Sequence, residues 1–161
     1  MKNVYLSLGS NMGNKIQNLK LAIVLLGLSA NIRIEKVSRF FSSKPYKAEG
    51  LNDFVNCIVK IETDFSAQKL LTYTQHIEKI MGRKKTKPVY ENRPIDIDII
   101  FFGFEKIKTQ NLEIPHYDFQ NRDFVVHILF DMEPDMKNPL SGEEIKYVAQ
   151  KVENNLEVIY E

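Results

Sequence analysis

A chain of 161 residues, 43% hydrophobic and 27% charged, is long enough to bury a core without disulfide or metal staples and fits one domain spanning 1–161. Its 22 basic and 21 acidic residues leave a net charge of +1, which excludes a general electrostatic affinity for nucleic acid. The single cysteine, Cys57, excludes an internal disulfide; with no signal-peptide pattern and no apolar run fit to span a bilayer, a cytoplasmic protein is expected.

Val4 to Leu8 alternates as a strand, and Gly9-Ser10-Asn11-Met12-Gly13-Asn14 ends it in turn residues. That turn lacks both the glycine spacing of the dinucleotide fingerprint and the Gly-Lys-Ser/Thr of a nucleotide loop, so loop geometry is its expected job. Ile16, Leu19, Ala22, Ile23 and Leu26 then recur at helical spacing up to Gly27. Ile32 to Phe41 reads as a second strand, and residues 42–51 as a long loop of a kind that often binds ligands. The third strand puts Val55, Cys57, Val59 and Ile61 on one face, with Phe54, Asn56, Ile58 and Lys60 on the other. Asn56, beside Phe54, offers a donor and an acceptor to the edge of a flat heterocycle, or else satisfies local backbone. Ser66 is placed to cap a helix running to about Met81, on which Gln75 and Glu78 share one face.

Residues 83 to 93 carry five basic side chains, Arg83, Lys84, Lys85, Lys87 and Arg93, against one acid, Glu91. With Pro88 and no periodicity, this segment is expected to be a mobile loop. It leads into Pro94-Ile95-Asp96-Ile97-Asp98-Ile99-Ile100-Phe101-Phe102, whose composition is that of a strand. On a strand Asp96 and Asp98 point the same way, about 6.6 Å apart. Such acids need a cationic partner, a divalent metal or the basic side chains just upstream, unless the strand is an edge and they face water. Hard oxygen ligands suit Mg²⁺ rather than zinc, and neighbouring arginines and lysines suit phosphoryl transfer.

Phe104 to Leu112 is expected to form a short hairpin. His116, in Pro-His-Tyr and close to Arg122, is either a phosphate contact or a packing group. Asn121 or Asp118 is expected to cap a helix that buries Phe124, Val125, Ile128, Leu129 and Met132. Ser141 and Glu144 have capping-box spacing for a short helix, and Leu156 to Tyr160 reads as a terminal strand. The order strand, helix, strand, strand, helix, strand predicts an α+β ferredoxin-like sandwich. It has a four-stranded antiparallel core sheet, helices on one face and an added C-terminal helical segment. RNA-binding domains share this general topology, but the two aspartates would repel a nucleic-acid backbone.

Several motifs can be compared as a set: Tyr5 to Asn11, Phe54-Val55-Asn56, Gln75 with Glu78, Gly82-Arg83, Arg93 to Ile99, Ile114-Pro115-His116-Tyr117 and Asn121-Arg122-Asp123-Phe124. Together they resemble those of the 6-hydroxymethyl-7,8-dihydropterin pyrophosphokinase family of the folate pathway. The resemblance implies that a monomer, with no nucleic-acid or membrane partner, transfers pyrophosphate from ATP to the 6-hydroxymethyl oxygen of the dihydropterin and releases AMP. It implies that Asp96 and Asp98 hold two Mg²⁺ ions, that Asp96 is the better candidate for assisting proton removal, and that Arg83 and Arg93 steady the phosphates. Gln75, Glu78, Lys85, Ile99, Asn111, His116, Tyr117 and Arg122 would form the ATP site. The pterin would stack between Phe54 and Phe124, with Asn56, Asp96 and the Ser43, Lys44, Pro45 and Tyr46 loop around it. Lys84, Lys87 and Tyr90 would help close the site. The chain departs from the family's usual text at two places. Ser43-Lys44-Pro45-Tyr46 stands for Thr-Pro-Pro-Leu, and Val89-Tyr90-Glu91-Asn92-Arg93 stands for Arg-Trp-Gly-Pro-Arg.

Overall fold

The structure is a computed structural model and describes residues 1–84 and 91–160. Strand β1 (Lys2–Ser10) is followed by helix α1 (Lys15–Gly27), strands β2 (Ile32–Val37), β3 (Phe40–Ser43) and β4 (Phe54–Thr63), helix α2 (Ala67–Ile80) and strand β5 (Asp96–Phe102). A two-strand ribbon of β6 (Ile107–Lys108) and β7 (Glu113–Ile114), helices α3 (Asp123–Met132) and α4 (Ile145–Gln150) and strand β8 (Glu157–Tyr160) complete it.

The main sheet has six strands in the order β5-β1-β4-β3-β8, with β2 also paired to β4. Its described strand pairs are antiparallel, so the ferredoxin-like core is present with the fourth, first, third and second strands side by side. The expected second strand is two strands. At the break, Ser38 accepts the Ile58 N–H through its hydroxyl (2.8 Å) and gives its own N–H to the Ile58 carbonyl (2.9 Å). A side chain there replaces one rung of the ladder and ends β2 early.

Alternation along the strands divides the core in two. Val4, Leu6 and Leu8 of β1, Val55, Cys57, Val59 and Ile61 of β4, and Ile97 and Ile99 of β5 pack under α1 and α2. Fully buried leucines such as Leu6 and Leu8 contribute about 2 kcal/mol each by transfer from water. Tyr5, Ile58 and Phe101 face the other way, beneath Val125, Val126, Ile128, Leu129 and Met132 of α3. The added C-terminal segment therefore covers the face that α1 and α2 leave open.

Asn14 caps α1 through Gln17 N–H and Ser66 caps α2 through Lys69 N–H. Two other expected caps are corrected. Arg122 holds the N-cap position of α3 without a side-chain cap. Asp118 is instead engaged by the Tyr46 hydroxyl (2.6 Å) and the Asn121 amide (2.8 Å). Glu144, not Ser141, is the N-cap of α4, because Ser141 is used in the preceding turn, where it accepts the Glu143 N–H. Among the described residues no helix is long and apolar enough to cross a membrane.

Candidate active site

The site opens where the face under α3 runs out of apolar cover. Along β1 the side chains on this face shrink from Tyr5 to Ser7 to Gly9. Ser7 pairs with Asp98 and Ile58, and Gly9 with Asp96 and Asn56. β1 thus sets the aspartates of β5 on one side and the amide of β4 on the other. Gly9 has to be small: a Cβ there would stand 3.2 Å from Asn56 Oδ1 and 3.3 Å from the Phe54 ring.

Beyond the aspartates the register of β5 slips by one residue between its pairings with Leu6 and Tyr5, leaving Ile100 unpaired in the β1 ladder. This bulge re-aims the strand and frees the Ile100 carbonyl, which accepts the His116 N–H (3.1 Å). It thereby sets His116 beside Asp98, with Nε2 at 4.0 Å from the carboxylate.

Three arginines converge on the two aspartates. Arg83 Nη1 donates to Asp96 Oδ1 (2.8 Å) and to Glu78 Oε2 (2.5 Å), and Arg93 Nη1 lies 3.5 Å from Asp96 Oδ2. Glu78 also accepts the Ile97 N–H (2.9 Å), so α2 holds both Arg83 and the backbone between the two aspartates. Burial raises the Glu78 carboxyl above its usual range, partly offset by Arg83. Burial works against the Arg83 charge, but Asp96 and Glu78 outweigh it and raise its pKa.

Asp98 faces Arg122 Nη1 at 3.6 Å and the His116 ring at 4.0 Å. Although 31% of its side chain opens to the cavity, it lies deep among protein atoms. Burial, then the neighbouring charge of Asp96, push its pKa up to about 7. Excess negative charge at Asp98 is what a divalent cation relieves. Among the described residues no group of three or more His, Cys, Asp and Glu side chains is arranged to hold a metal. As hard oxygen donors at the wall of a cavity, the two carboxylates fit Mg²⁺, which keeps waters and takes substrate phosphate oxygens to fill its shell. His116 is held neutral: burial, then the Arg122 charge, lower its pKa to about 4. Its Nδ1 accepts the Asp118 N–H (3.2 Å), so the ring proton sits on Nε2, facing Asp98.

Two cavities meet at this centre. One, of about 300 Å³, is lined by Phe54, Phe124, Tyr46, Asn56, Asp96 and the three arginines, with Ser43, Lys44 and Pro45 at its wall. Asn56 gives its amide protons to Ser43 Oγ (2.6 Å) and the Phe41 carbonyl (3.3 Å), leaving its carbonyl oxygen on the Gly9 side. Tyr46 stands edge-on to Phe124, with centroids 6.1 Å apart. The Arg122 guanidinium lies over both rings, at 5.0 and 5.6 Å. Arg122 Nε is buried 3.9 Å from Asp118 Oδ2 and has no hydrogen-bond partner among the described residues. The second cavity, of about 370 Å³, is lined by Leu71, Ile99, Asn111, Leu112 and neighbouring residues. Asp98, His116 and Tyr117 line both.

Every residue expected around a pterin lines the first cavity. Of those expected around ATP, Ile99, Asn111, His116 and Tyr117 line the second, while Arg122 lines the first. Gln75 is exposed on α2, and neither it nor Glu78 lines either cavity. Lys84 is exposed at the edge of the described chain. Lys85, Lys87 and Tyr90 lie outside the described residues. Ser7, Gly9 and Asp118 are not among the site residues expected from the sequence. The pairing of Gly9 between Asn56 and Asp96 has no local signature, and Asp118 could be read only as a cap.

Comparison with known proteins gives one family model, 7,8-dihydro-6-hydroxymethylpterin-pyrophosphokinase, matching residues 5–134. The chain is similar to 2-amino-4-hydroxy-6-hydroxymethyldihydropteridine pyrophosphokinase of Haemophilus influenzae, 35% identical over 97% of both chains. The Aquifex aeolicus protein of the same name is 36% identical over 97% of this chain and 94% of its own. Among solved structures, wild-type Plasmodium falciparum HPPK-DHPS with pteroate superposes with a TM-score of 0.72 at 15% identity, a likeness of fold. That match covers 93% of this chain and 44% of the Plasmodium chain, so this chain spans less than half of it.

Proposed function

The chain belongs to the 7,8-dihydro-6-hydroxymethylpterin pyrophosphokinase family, and from that premise we propose how its residues divide the reaction. It is an ATP-dependent enzyme that transfers pyrophosphate from ATP to the dihydropterin in folate biosynthesis. The hydroxymethyl oxygen forms a bond to the β-phosphorus, the bond from that phosphorus to the oxygen shared with the α-phosphorus breaks, AMP leaves and the hydroxyl proton is lost.

The aromatic cavity takes the pterin, stacked between Phe54 and Phe124, with Asn56 reading its polar edge. The second cavity takes the adenosine end of ATP against Leu71, Ile99, Leu112 and Asn111. The observation that carries this assignment is that the two cavities share Asp98, His116 and Tyr117, so ligands in both bring their reacting ends to one place. Asp96 and Asp98 hold two Mg²⁺ ions. When bound, they would supply positive charge to the triphosphate and the hydroxymethyl oxygen. Arg83 and Arg93, oriented by Asp96 and Glu78, meet charge that develops on nonbridging oxygens. Arg122, whose side chain lines the first cavity, offers its guanidinium to a substrate oxygen. His116 offers a neutral N–H donor. Residues of one chain line both cavities, which supports a monomer as the working form.

The test incubates the protein with ATP, Mg²⁺ and 6-hydroxymethyl-7,8-dihydropterin and follows AMP. The expected result is AMP formed in proportion to enzyme and lost when Mg²⁺ is chelated. Binding of both ligands without AMP would reduce the protein to a binding module.

A further inference from the structure

The strand β1 runs through Gly9 and Ser10, which the sequence places in a turn, and Asn11, the first residue after it, has no task in the reaction. Asn11 is fully buried and lines neither cavity. Its polar groups are all engaged with two distant segments. Its Nδ2 donates to the Asn52 carbonyl (3.1 Å) and to Asn92 Oδ1 (2.9 Å), and its Oδ1 accepts the Arg93 N–H (2.6 Å). Its backbone N–H donates to the Arg93 carbonyl (3.2 Å), and its carbonyl accepts from Asn52 Nδ2 (3.1 Å). Asn92 Oδ1 closes the ring by accepting the Asn52 N–H as well (3.0 Å). Nearby, Lys15 Nζ donates to the Asp53 carbonyl (2.9 Å).

The two joined segments lead to different halves of the site. Asn52 lies two residues before Phe54 and four before Asn56, which line the aromatic cavity. Arg93 lies three residues before Asp96, the carboxylate its own guanidinium approaches. Neither segment can shift alone without leaving buried donors and acceptors of Asn11 unpaired, which a buried amide resists strongly.

We propose that Asn11, Asn52 and Asn92 form a positioning clamp that couples the two substrate subsites, holding Arg93 in register with Phe54 and Asn56. This rests on the assignment of the two cavities made above. A ligand that orders the Phe54 side pre-sets Arg93 for the triphosphate, and by linkage the triphosphate tightens pterin binding by the same factor.

The experiment measures pterin affinity with and without a non-hydrolysable ATP analogue and Mg²⁺, in wild type and in Asn92→Ala, Asn92→Asp and Asn11→Ala. The ratio of the two pterin dissociation constants is the coupling factor. In Asn92→Ala it falls on the order of tenfold, while the analogue's own affinity changes by less than about twofold. Toward Asn11 and Asn52, Asn92 acts as an acceptor, so Asn92→Asp restores the coupling, which a merely structural role would not require. Should Asn11→Ala fail to fold, the Asn92 pair decides alone. A wild-type coupling factor of one overturns the clamp, as does undiminished coupling in Asn92→Ala or an Asn92→Asp variant that behaves like Asn92→Ala. If wild type binds neither ligand, the two-cavity assignment falls first and the clamp with it.

Discussion

The two faces of the central strands are built from alternate residues of the same segments, yet they do opposite things. Toward α1 and α2, β1 presents Val4, Leu6 and Leu8, all fully buried in one apolar layer. Toward α3 it presents Tyr5, Ser7 and Gly9, and only the Tyr5 end is covered by the second cluster. The sealed face spends its side chains on stability. On the other face, α3 provides cover at one end, and the shortening side chains leave room at the other for Asp96, Asp98 and Asn56. A site on rigid paired strands, beside a sealed core, keeps its charges in place at little conformational cost.

The largest effect should come from Asp98→Ala, which removes a proposed metal ligand. AMP formation should drop about a thousandfold or more, with a melting temperature no lower than wild type, because a crowded and poorly compensated carboxyl is lost. Leu6→Ala reverses the pattern. It should cost about 2–5 kcal/mol in denaturant unfolding, while the folded fraction keeps its KM for both substrates. If Leu6→Ala changed KM as strongly as stability, the division between the faces would not hold.

Gly9→Ala tests the boundary between them. The added methyl presses on Asn56 and Phe54 at the distances noted above, so KM for the pterin should rise by about tenfold, a cost of about 1.4 kcal/mol. KM for ATP and the unfolding midpoint should move little. The smallest effect concerns the covered end of the open face. There Glu133 accepts from Tyr5 Oη (2.6 Å) and Lys60 Nζ (3.0 Å). Burial alone would raise the Glu133 carboxyl, but these hydrogen bonds and the charge of Lys60 outweigh it and lower its pKa. Since the folded pKa is depressed, the stabilisation is complete above the unfolded value of about 4.5 and is lost as pH falls through the folded value. Thermal melts between neutral pH and pH 3 should show this loss, and Glu133→Gln should show less of it.

Much of this frame is legible in the chain because it rests on local repetition. The alternation of Val55, Cys57, Val59 and Ile61 against Phe54, Asn56 and Ile58 survives folding unchanged, as does the placing of Asp96 and Asp98 on one side of β5. Ser66 caps α2 because it precedes a strongly amphipathic run. The split at Ser38 was not legible, since it depends on a hydroxyl meeting Ile58 across the sheet. Nor was the absence of a side-chain cap on α3, since Asp118 is claimed by Tyr46, which is 72 positions away.

By itself, then, the sequence determined the strand that carries the acids, the basic segment before it and the aromatic-amide pair, because periodicity and composition act between neighbours. Only the tertiary structure decided which arginine meets which carboxylate. It placed Arg83 with Asp96 under the hold of Glu78, and it left Asp98 under-compensated. It also carried β1 on through Gly9 and Ser10 and made Asn11 a junction, bonded to Arg93 across 82 positions. Such partners are chosen by how the strands pair and where α2 comes to rest, and a contact between distant segments leaves no pattern in either of them.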